Sequence, residues 1–262
     1  MFTFTSTDWA GWLAMYAYPA FRILAMLTSA PIFNNVGMPR HIRLVTGLAI
    51  TMAIAPVLPP SPAVAPGSFL VVGAIATEMM IGFAIGFTIR LVFVAIDLAG
   101  DLIGLQMGLS FAMFYDPQSA GQTTVIAQFL GLIASLIFLA LNGHLLVIET
   151  VVRSFEWLPA GGVGFPGDAA KIIVRSGGSI FVTGLMLALP AVTTLLITNI
   201  ALGVLTRAAP QLNLFALGFP ITLTVGVVAL AACLPMLAGV LQSLYERGFD
   251  TVGMFLKIAA GH

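Results

Sequence analysis

Few side chains in this sequence can ionise, and several that can fall inside long apolar runs. Arg22 lies within Ala10–Phe33, Glu78 and Arg90 lie within Phe69–Ile96, and Asp97 and Asp101 follow directly. A charge at membrane depth is costly, so such a group pairs, lines a cavity or snorkels to an interface. Intramembrane carboxylates can bind a solute cation or relay protons. The same groups can instead form a polar seam that registers one helix against another. If the helix continues past Ile96, Arg90, Asp97 and Asp101 share one face, because they are spaced seven and four residues apart. Three readings of that face stay open: an intrachain pair, a seam read by neighbouring subunits, and a proton relay. For Arg22 the choice is between snorkelling and pairing against other helices or subunits.

Enzyme chemistry has no such foothold. The sequence holds no HExxH, P-loop or GxSxG motif and no cluster of metal ligands. His41, His144 and His262 are scattered, and His144 follows Asn142-Gly143, where a capping or hydrogen-bonding role is the default. The expectation is a protein without catalytic residues, metal or cofactor. Cys233 lies in an apolar run and is expected to pack as a small hydrophobe.

The elements that must position these groups centre on Asp97 to His144. Two apolar helical segments flank a polar insert, Tyr115 to Thr124, that contains Asp116-Pro117 and Gly121. Gly100, Gly104 and Gly108 recur every four residues on the leading segment, and Ala127, Gly131 and Ser135 do so on the trailing one. That spacing lets helix backbones approach closely. Between them, Leu109 to Tyr115 is rich in Met and Phe and runs into the Asp-Pro turn. It is either ordinary core packing of a helix end or a break that lines a cavity, since irregular backbone at membrane depth must be covered by protein or face a cavity.

Composition supplies the medium. Hydrophobic residues make up 60% of the chain and charged residues 8%, with zero net charge; the mean hydropathy is +1.08. A water-facing surface needs about 25% charged residues, so the fold class expected is an all-α membrane protein built of long apolar helical hairpins. Nothing basic enough to bind nucleic acid is present. The N-terminus lacks the positive region of a cleaved signal peptide, and the first apolar helix is expected to serve for insertion.

Read in order, Ser6, Thr7 or Asp8 can cap a first helix, and Pro31 ends or kinks it. Asn34 to Arg43 reads as a basic loop. Leu44–Leu58 is too short for a clean span and suits half of a hairpin. Pro59 to Gly67 is a stiff linker, and Gly82 with Gly86 forms a further close-packing pair. Glu149 to Arg175, the most polar region, reads as a linker. Ile180–Leu205 and Leu214–Leu241 form a hairpin around the turn Arg207 to Asn213, with prolines inside both helices. Gln242 to Ala260 is amphipathic, fit for a membrane interface or a partner, or else a solvated terminal helix. Arg40, Arg43 and Arg207 fall on one side of the resulting topology, and Arg153, Lys171, Arg175, Arg247 and Lys257 on the other. The positive-inside test is therefore indecisive, as expected of a subunit whose apolar faces are covered by other protein.

Several short signatures carry a resemblance. In order they are Phe21-Arg22, Ala30-Pro31-Ile32-Phe33, Met38-Pro39 followed by Arg43, and Gln106-Met107-Gly108. Asp116-Pro117-Gln118, Phe138 through Asn142-Gly143-His144, Ser154-Phe155 and Leu158-Pro159 continue the series. Their order and spacing over nearly the whole chain resemble the FliR family of flagellar export-gate proteins and their SctT-like virulence-secretion relatives. The C-terminal half separately resembles the FliQ family, through Leu189-Pro190, Gln211-Leu212-Asn213 and Phe219-Pro220. It departs at Leu214, where that family often has an acid, and in lacking the lysine after the proline.

The resemblance implies a FliP-like part over residues 1–165 and a FliQ-like hairpin with its amphipathic tail over 166–262. It implies a single copy in a hetero-oligomer with FliP and FliQ, adjoined by FlhB and FlhA, at the bacterial inner membrane in the flagellar basal body. Unfolded export substrates would pass through the channel. By position, residues 109–122 are the plug, with Leu109, Phe111, Met113, Phe114, Tyr115, Asp116 and Pro117 at the pore. Arg90, Asp97, Asp101 and Gln106 would form a polar subunit-facing seam, and Gly100, Gly104 and Gly108 would be close-packing positions. The rival reading is a secondary transporter or channel for small solutes, with Glu78, Arg90, Asp97 and Asp101 as its site.

Overall fold

The structure, a computed structural model, describes residues 11, 13–34, 37–59, 69–109, 124–162, 167–209 and 214–261. Among these residues all regular structure is helical and no strand occurs, as the composition requires.

Helix α1 spans Tyr18–Ser29 behind a π-helical segment, Leu13–Ala17. Pro19 sits in its first turn, where a missing N–H costs nothing. The helix stops at Ala30, which is extended (φ −70°, ψ 134°) because Pro31 disfavours a helical conformation in the residue before it. Helix α2 covers Arg40–Ile54 and runs into a 3-10 turn, Ala55–Val57. Helix α3, Phe69–Gln106, is 38 residues long without a break. Gly108 ends it at φ 82°, a left-handed conformation that glycine adopts freely.

Helix α4, Val125–Ala140, is capped by Thr124, whose hydroxyl accepts from the Ala127 N–H at 3.2 Å. The chain then turns at Asn142 (φ 56°, ψ 25°) into α5, Gly143–Trp157. Asparagine tolerates that left-handed conformation better than most residues. Helices α6, Gly167–Ala208, and α7, Leu214–Ala259, have 42 and 46 residues. Both run through internal prolines, Pro190 in α6 and Pro220 and Pro235 in α7. Each proline removes one ladder hydrogen bond. The hydroxyls of Thr194 and Thr224 donate to the Pro190 and Pro220 carbonyls at 2.9 and 2.8 Å.

Four sequence expectations need correction. The basic segment at 40–43 is the first turn of α2 and no loop: Pro39, at φ −57°, leads straight into the helix. Glu149 to Arg175 is mostly helix, because Val147, Val151 and Phe155, four apart, bury one face of α5 while its charges sit on the other. The segment that joins Ile180 to the preceding chain is also helical, so α6 starts at Gly167. The tail is continuous with α7, and its apolar face is covered by the chain itself: Val252 and Phe255 are fully buried and Leu256 nearly so. The capping role given to Ser6, Thr7 or Asp8 lies outside the described residues.

The chain divides into two compact units. The first comprises residues 1–91, 142–177 and 245–262. Its core is built from Tyr18, Ile23, Met26, Leu27, Ile85, Ile89, Val151, Phe155 and Phe255. The second comprises residues 92–141 and 178–244. Ile96, Ile103, Met107, Leu195 and Leu241 are buried there, and Phe93 meets Phe138 edge to face at 5.6 Å. Among the described residues three helices are long and apolar enough to cross a membrane, Phe69–Gln106, Gly167–Ala208 and Leu217–Ala259. The bent pair α4 and α5 would make a fourth.

Candidate functional site

Two polar constellations stand out, one in each unit. In the second unit, Gly100 and Gly104 of α3 lie against the start of α4. A methyl group on Gly100 would collide with the Ala127 backbone, and one on Gly104 would come within 3.0 Å of the Thr124 hydroxyl. The glycines therefore set the approach of the two helices that flank the segment 110–123. Asp101 closes the same end: its Oδ1 accepts from the Thr124 N–H at 3.1 Å, and the Thr124 hydroxyl donates to the Gly100 carbonyl at 3.3 Å. A carboxylate beside the first turn of α4 also complements the positive end of that helix. Asp97 lies alongside Gly131, its Oδ1 3.1 Å from where a Cβ there would sit.

Because α3 is unbroken, Arg90, Asp97 and Asp101 keep their shared side of the helix; Arg90 is exposed and the two carboxylates are half-buried. At the end of α3, the Asn199 side-chain amide of α6 lies 3.4 Å from both the backbone and the side-chain oxygen of Gln106. Thr222 of α7 donates to the Met107 carbonyl at 3.2 Å. Gly108 serves as the helix terminator described above. Leu109 is the last described residue before the segment 110–123. The pore positions Phe111, Met113, Phe114, Tyr115, Asp116 and Pro117 lie outside the described residues. Cys233 is half-buried and lines an apolar groove of about 420 Å³ with Pro190, Thr194 and Val228.

The first unit holds a buried clasp. Arg22 Nε donates to Glu78 Oε2 at 2.7 Å and Nη2 to Glu78 Oε1 at 3.1 Å. Nη1 donates to the Ser154 hydroxyl at 2.9 Å, and Nη2 also donates to the Leu158 carbonyl at 2.8 Å. The Phe155 ring lies 4.0 Å from the guanidinium carbon. Glu78 Oε1 accepts a further bond from the Gly161 N–H at 3.0 Å. Both Arg22 and Glu78 are fully buried. One fork thereby joins α1, α3, α5 and the turn that follows α5. Gly82, one turn beyond Glu78, lets α3 reach the Arg22 carbonyl itself, since a Cβ there would collide with that backbone.

Of the alternatives for Arg22, pairing against other helices is what the structure shows. The identity of its partner was the part missed. Glu78 could have been matched to Arg22 from the sequence, as the sole anion of the Phe69–Ile96 run, with an unassigned cation in the run before it. Among the described residues no group of three or more His, Cys, Asp or Glu could hold a metal ion.

Long apolar helices packed through glycine seams, with buried charge used for internal ties, define an integral membrane protein of the helical type. Residues 13–248 match the family described as bacterial export proteins, family 1, and the chain belongs to that family. It is 43% identical over 250 residues to the flagellar biosynthetic protein FliR of Escherichia coli (strain K12), covering 95% of each chain. It is 41% identical over 258 residues to FliR of Pectobacterium carotovorum subsp. carotovorum, covering 98% of each. FliR of Aquifex aeolicus (strain VF5) is 29% identical over 238 residues, 90% of this chain and 92% of the relative. The motif-based resemblance points to the same proteins.

Proposed function

We propose that this chain is the structural and gating subunit of a flagellar type III protein-export channel. In this reading it forms the export gate as a single copy with FliP and FliQ, beside FlhB and FlhA, at the bacterial inner membrane in the flagellar basal body. The observation that carries the reading is the similarity to FliR proteins along nearly the whole chain. The helix lengths support it. At 1.5 Å per residue, helices of 38, 42 and 46 residues extend about 57, 63 and 69 Å, roughly twice a bilayer's hydrocarbon core of about 30 Å. Such helices bear apolar faces that lipid alone does not cover. Phe181, Met186 and Val204 on α6 and Met236 on α7 are all exposed, which suits burial against partner subunits. A solute-transporter reading would need its carboxylates free, yet Glu78 is held by Arg22 and Gly161, and Asp101 accepts from Thr124.

The gate is assigned to the segment 109–122. Phe111, Met113, Phe114 and Tyr115 are bulky or adaptable side chains suited to sealing a pore that must still yield to an unfolded chain. The approach of α4 to α3, the helices on either side of the segment, is set by Gly100 and Gly104. Shortening 109–122 is expected to make the cell envelope leak small ions while leaving co-purification of FliP and FliQ intact. Unchanged leak together with lost assembly would make the segment a packing element and overturn its role as a gate.

A further inference from the structure

The last turn of α3 is completed by side chains from other helices. A helix leaves its final carbonyls without partners from its own backbone. Here the local turn engages only earlier ones: the Met107 N–H donates to the Ile103 carbonyl at 3.0 Å and the Gly108 N–H to the Leu105 carbonyl at 3.1 Å. The next two carbonyls are met by α6 and α7. The Asn199 amide of α6 lies 3.4 Å from the Gln106 carbonyl, and the Thr222 hydroxyl of α7 donates to the Met107 carbonyl at 3.2 Å. The Met107 side chain follows the same direction. It is 1% exposed and lies against Gly226, where a Cβ would come within 2.6 Å of its Cγ and 2.7 Å of its Sδ. Gly226 follows Thr222 by four residues, so the hydroxyl and the vacant Cβ position share one side of α7. Together they make a socket for one residue of α3.

These contacts can be exchanged at little cost. The Thr222 hydroxyl has one proton and two acceptors in reach, the Met107 carbonyl at 3.2 Å and the Phe219 carbonyl of its own helix at 3.1 Å. It can release Met107 and stay hydrogen-bonded. The two Asn199 contacts, both 3.4 Å, are long for N–H···O bonds. Methionine adapts its shape to a new seat more readily than a branched side chain does. The Arg22 clasp is the opposite case, since its release would strand two buried charges.

We infer that Asn199, Thr222 and Gly226 form a releasable latch for the Met107 end of α3. Through it the α6–α7 hairpin positions the point at which the segment 109–122 leaves α3, and export requires the latch to let go. Its bearing on conductance rests on the reading of that segment as the gate. Asn199, Thr222 and Gly226 are positioning residues, acting through Gln106 and Met107.

The first test measures leak of small ions in cells carrying the full chain with its partner subunits, and co-purification of FliP and FliQ from the same cells. Thr222→Val removes the hydroxyl at nearly equal volume. It should raise the leak about three- to tenfold, the population shift that loss of one hydrogen bond gives, with co-purification retained. Thr222→Ser should restore tightness. If Thr222→Val stays tight while shortening 109–122 leaks, the latch is overturned and the gate stands; if neither leaks, the gate reading fails and the latch falls with it. Leak accompanied by loss of FliP or FliQ would make Thr222 a packing residue and also overturn the latch.

Release is tested by locking the socket with Met107→Cys/Gly226→Cys in a Cys233→Ser chain. A Cβ at 226 would lie 2.6 Å from the Met107 Cγ position, which the cysteine sulfur would take, so the pair is within disulfide reach. Oxidation with copper–phenanthroline should stop motility and dithiothreitol should restore it, whereas either cysteine alone should give no oxidant-dependent change. Motility that persists with the pair cross-linked would show a static contact and overturn the inference. Should the cysteine pair fail to assemble, the comparison of Thr222→Val with Thr222→Ser decides.

Discussion

Removing one partner of the Arg22–Glu78 clasp should cost far more than removing both. Arg22→Met leaves the Glu78 carboxylate fully buried with only the Gly161 N–H to meet it. Loss of one member of a buried ion pair typically costs about 3–5 kcal/mol, because the remaining charge is stranded. Glu78→Leu strands the guanidinium instead, with Ser154 and the Leu158 carbonyl as its remaining polar partners. The double variant strands no charge. Ser154 keeps its bond to the Val151 carbonyl at 2.6 Å, and the Leu158 region is half-exposed, so the main residual loss is the Gly161 N–H. One unsatisfied buried donor costs about 1–3 kcal/mol. Heating the detergent-solubilised chain and following the monodisperse fraction would read this. For a chain of this size each kcal/mol shifts the midpoint by about 2–4 °C, so either single variant should fall by about 6–20 °C. The double variant should recover much of that fall. If the losses of the single variants simply add in the double, the clasp is not a coupled pair and the reasoning fails.

Gly82→Ala should destabilise by about 1–3 kcal/mol, since its methyl meets the Arg22 backbone, which cannot swing aside. Gly239→Ala in α7 meets nothing within 4 Å and should raise the same thermal midpoint slightly through helix propensity, worth about 0.5–1 kcal/mol. Thr124→Ala should lose about 0.5–2 kcal/mol with the α4 cap, while Thr124→Ser retains most of it; thermal scans of the two variants side by side would show the difference. Arg90→Leu, on the exposed side of α3, should reduce co-purification of FliP more than Lys171→Leu, and equal yields would remove Arg90 from any subunit seam.

Much of the helical layout was legible because apolar runs and their polar breaks are written directly in composition. The end of α1 followed from Pro31, whereas Gly108, read as a close-packing position, ends α3 through its positive φ, and Thr124, read only as the edge of the polar insert, caps α4. What could not be read was how far polar sequence stays helical. Glu149, Arg153 and Glu156 suggested a linker, yet they sit on the outer side of α5, and Arg153 pairs with Glu149 within one turn at 2.8 Å. A charged face and a loop look alike until the buried positions Val147, Val151 and Phe155 are counted at their four-residue spacing. The clasp was half visible: Arg22 stands out as a cation inside an apolar run, with snorkelling and pairing both open, but its anion lies 56 residues away. Proximity in sequence favoured grouping Arg90 with Asp97 instead. The Gly161 N–H and the Leu158 carbonyl were beyond reach, since backbone groups leave no trace in residue type.

The distance along the chain between Arg22 and its partners also sets an order of biosynthesis. At about 5–20 residues per second, Glu78 is made about 3–11 s after Arg22, and Ser154, 132 residues on, about 7–26 s after it. During that interval a lone guanidinium at the centre of the first apolar helix opposes partitioning into lipid by about 2.5–3.5 kcal/mol. The helix therefore has reason to wait at the insertion machinery, or with its arginine drawn toward the interface, until α3 emerges and the two can enter as a neutralised pair. A nascent chain released before Gly161 would carry its first helix without the full set of groups that hold it, which makes early truncations natural targets for membrane quality control.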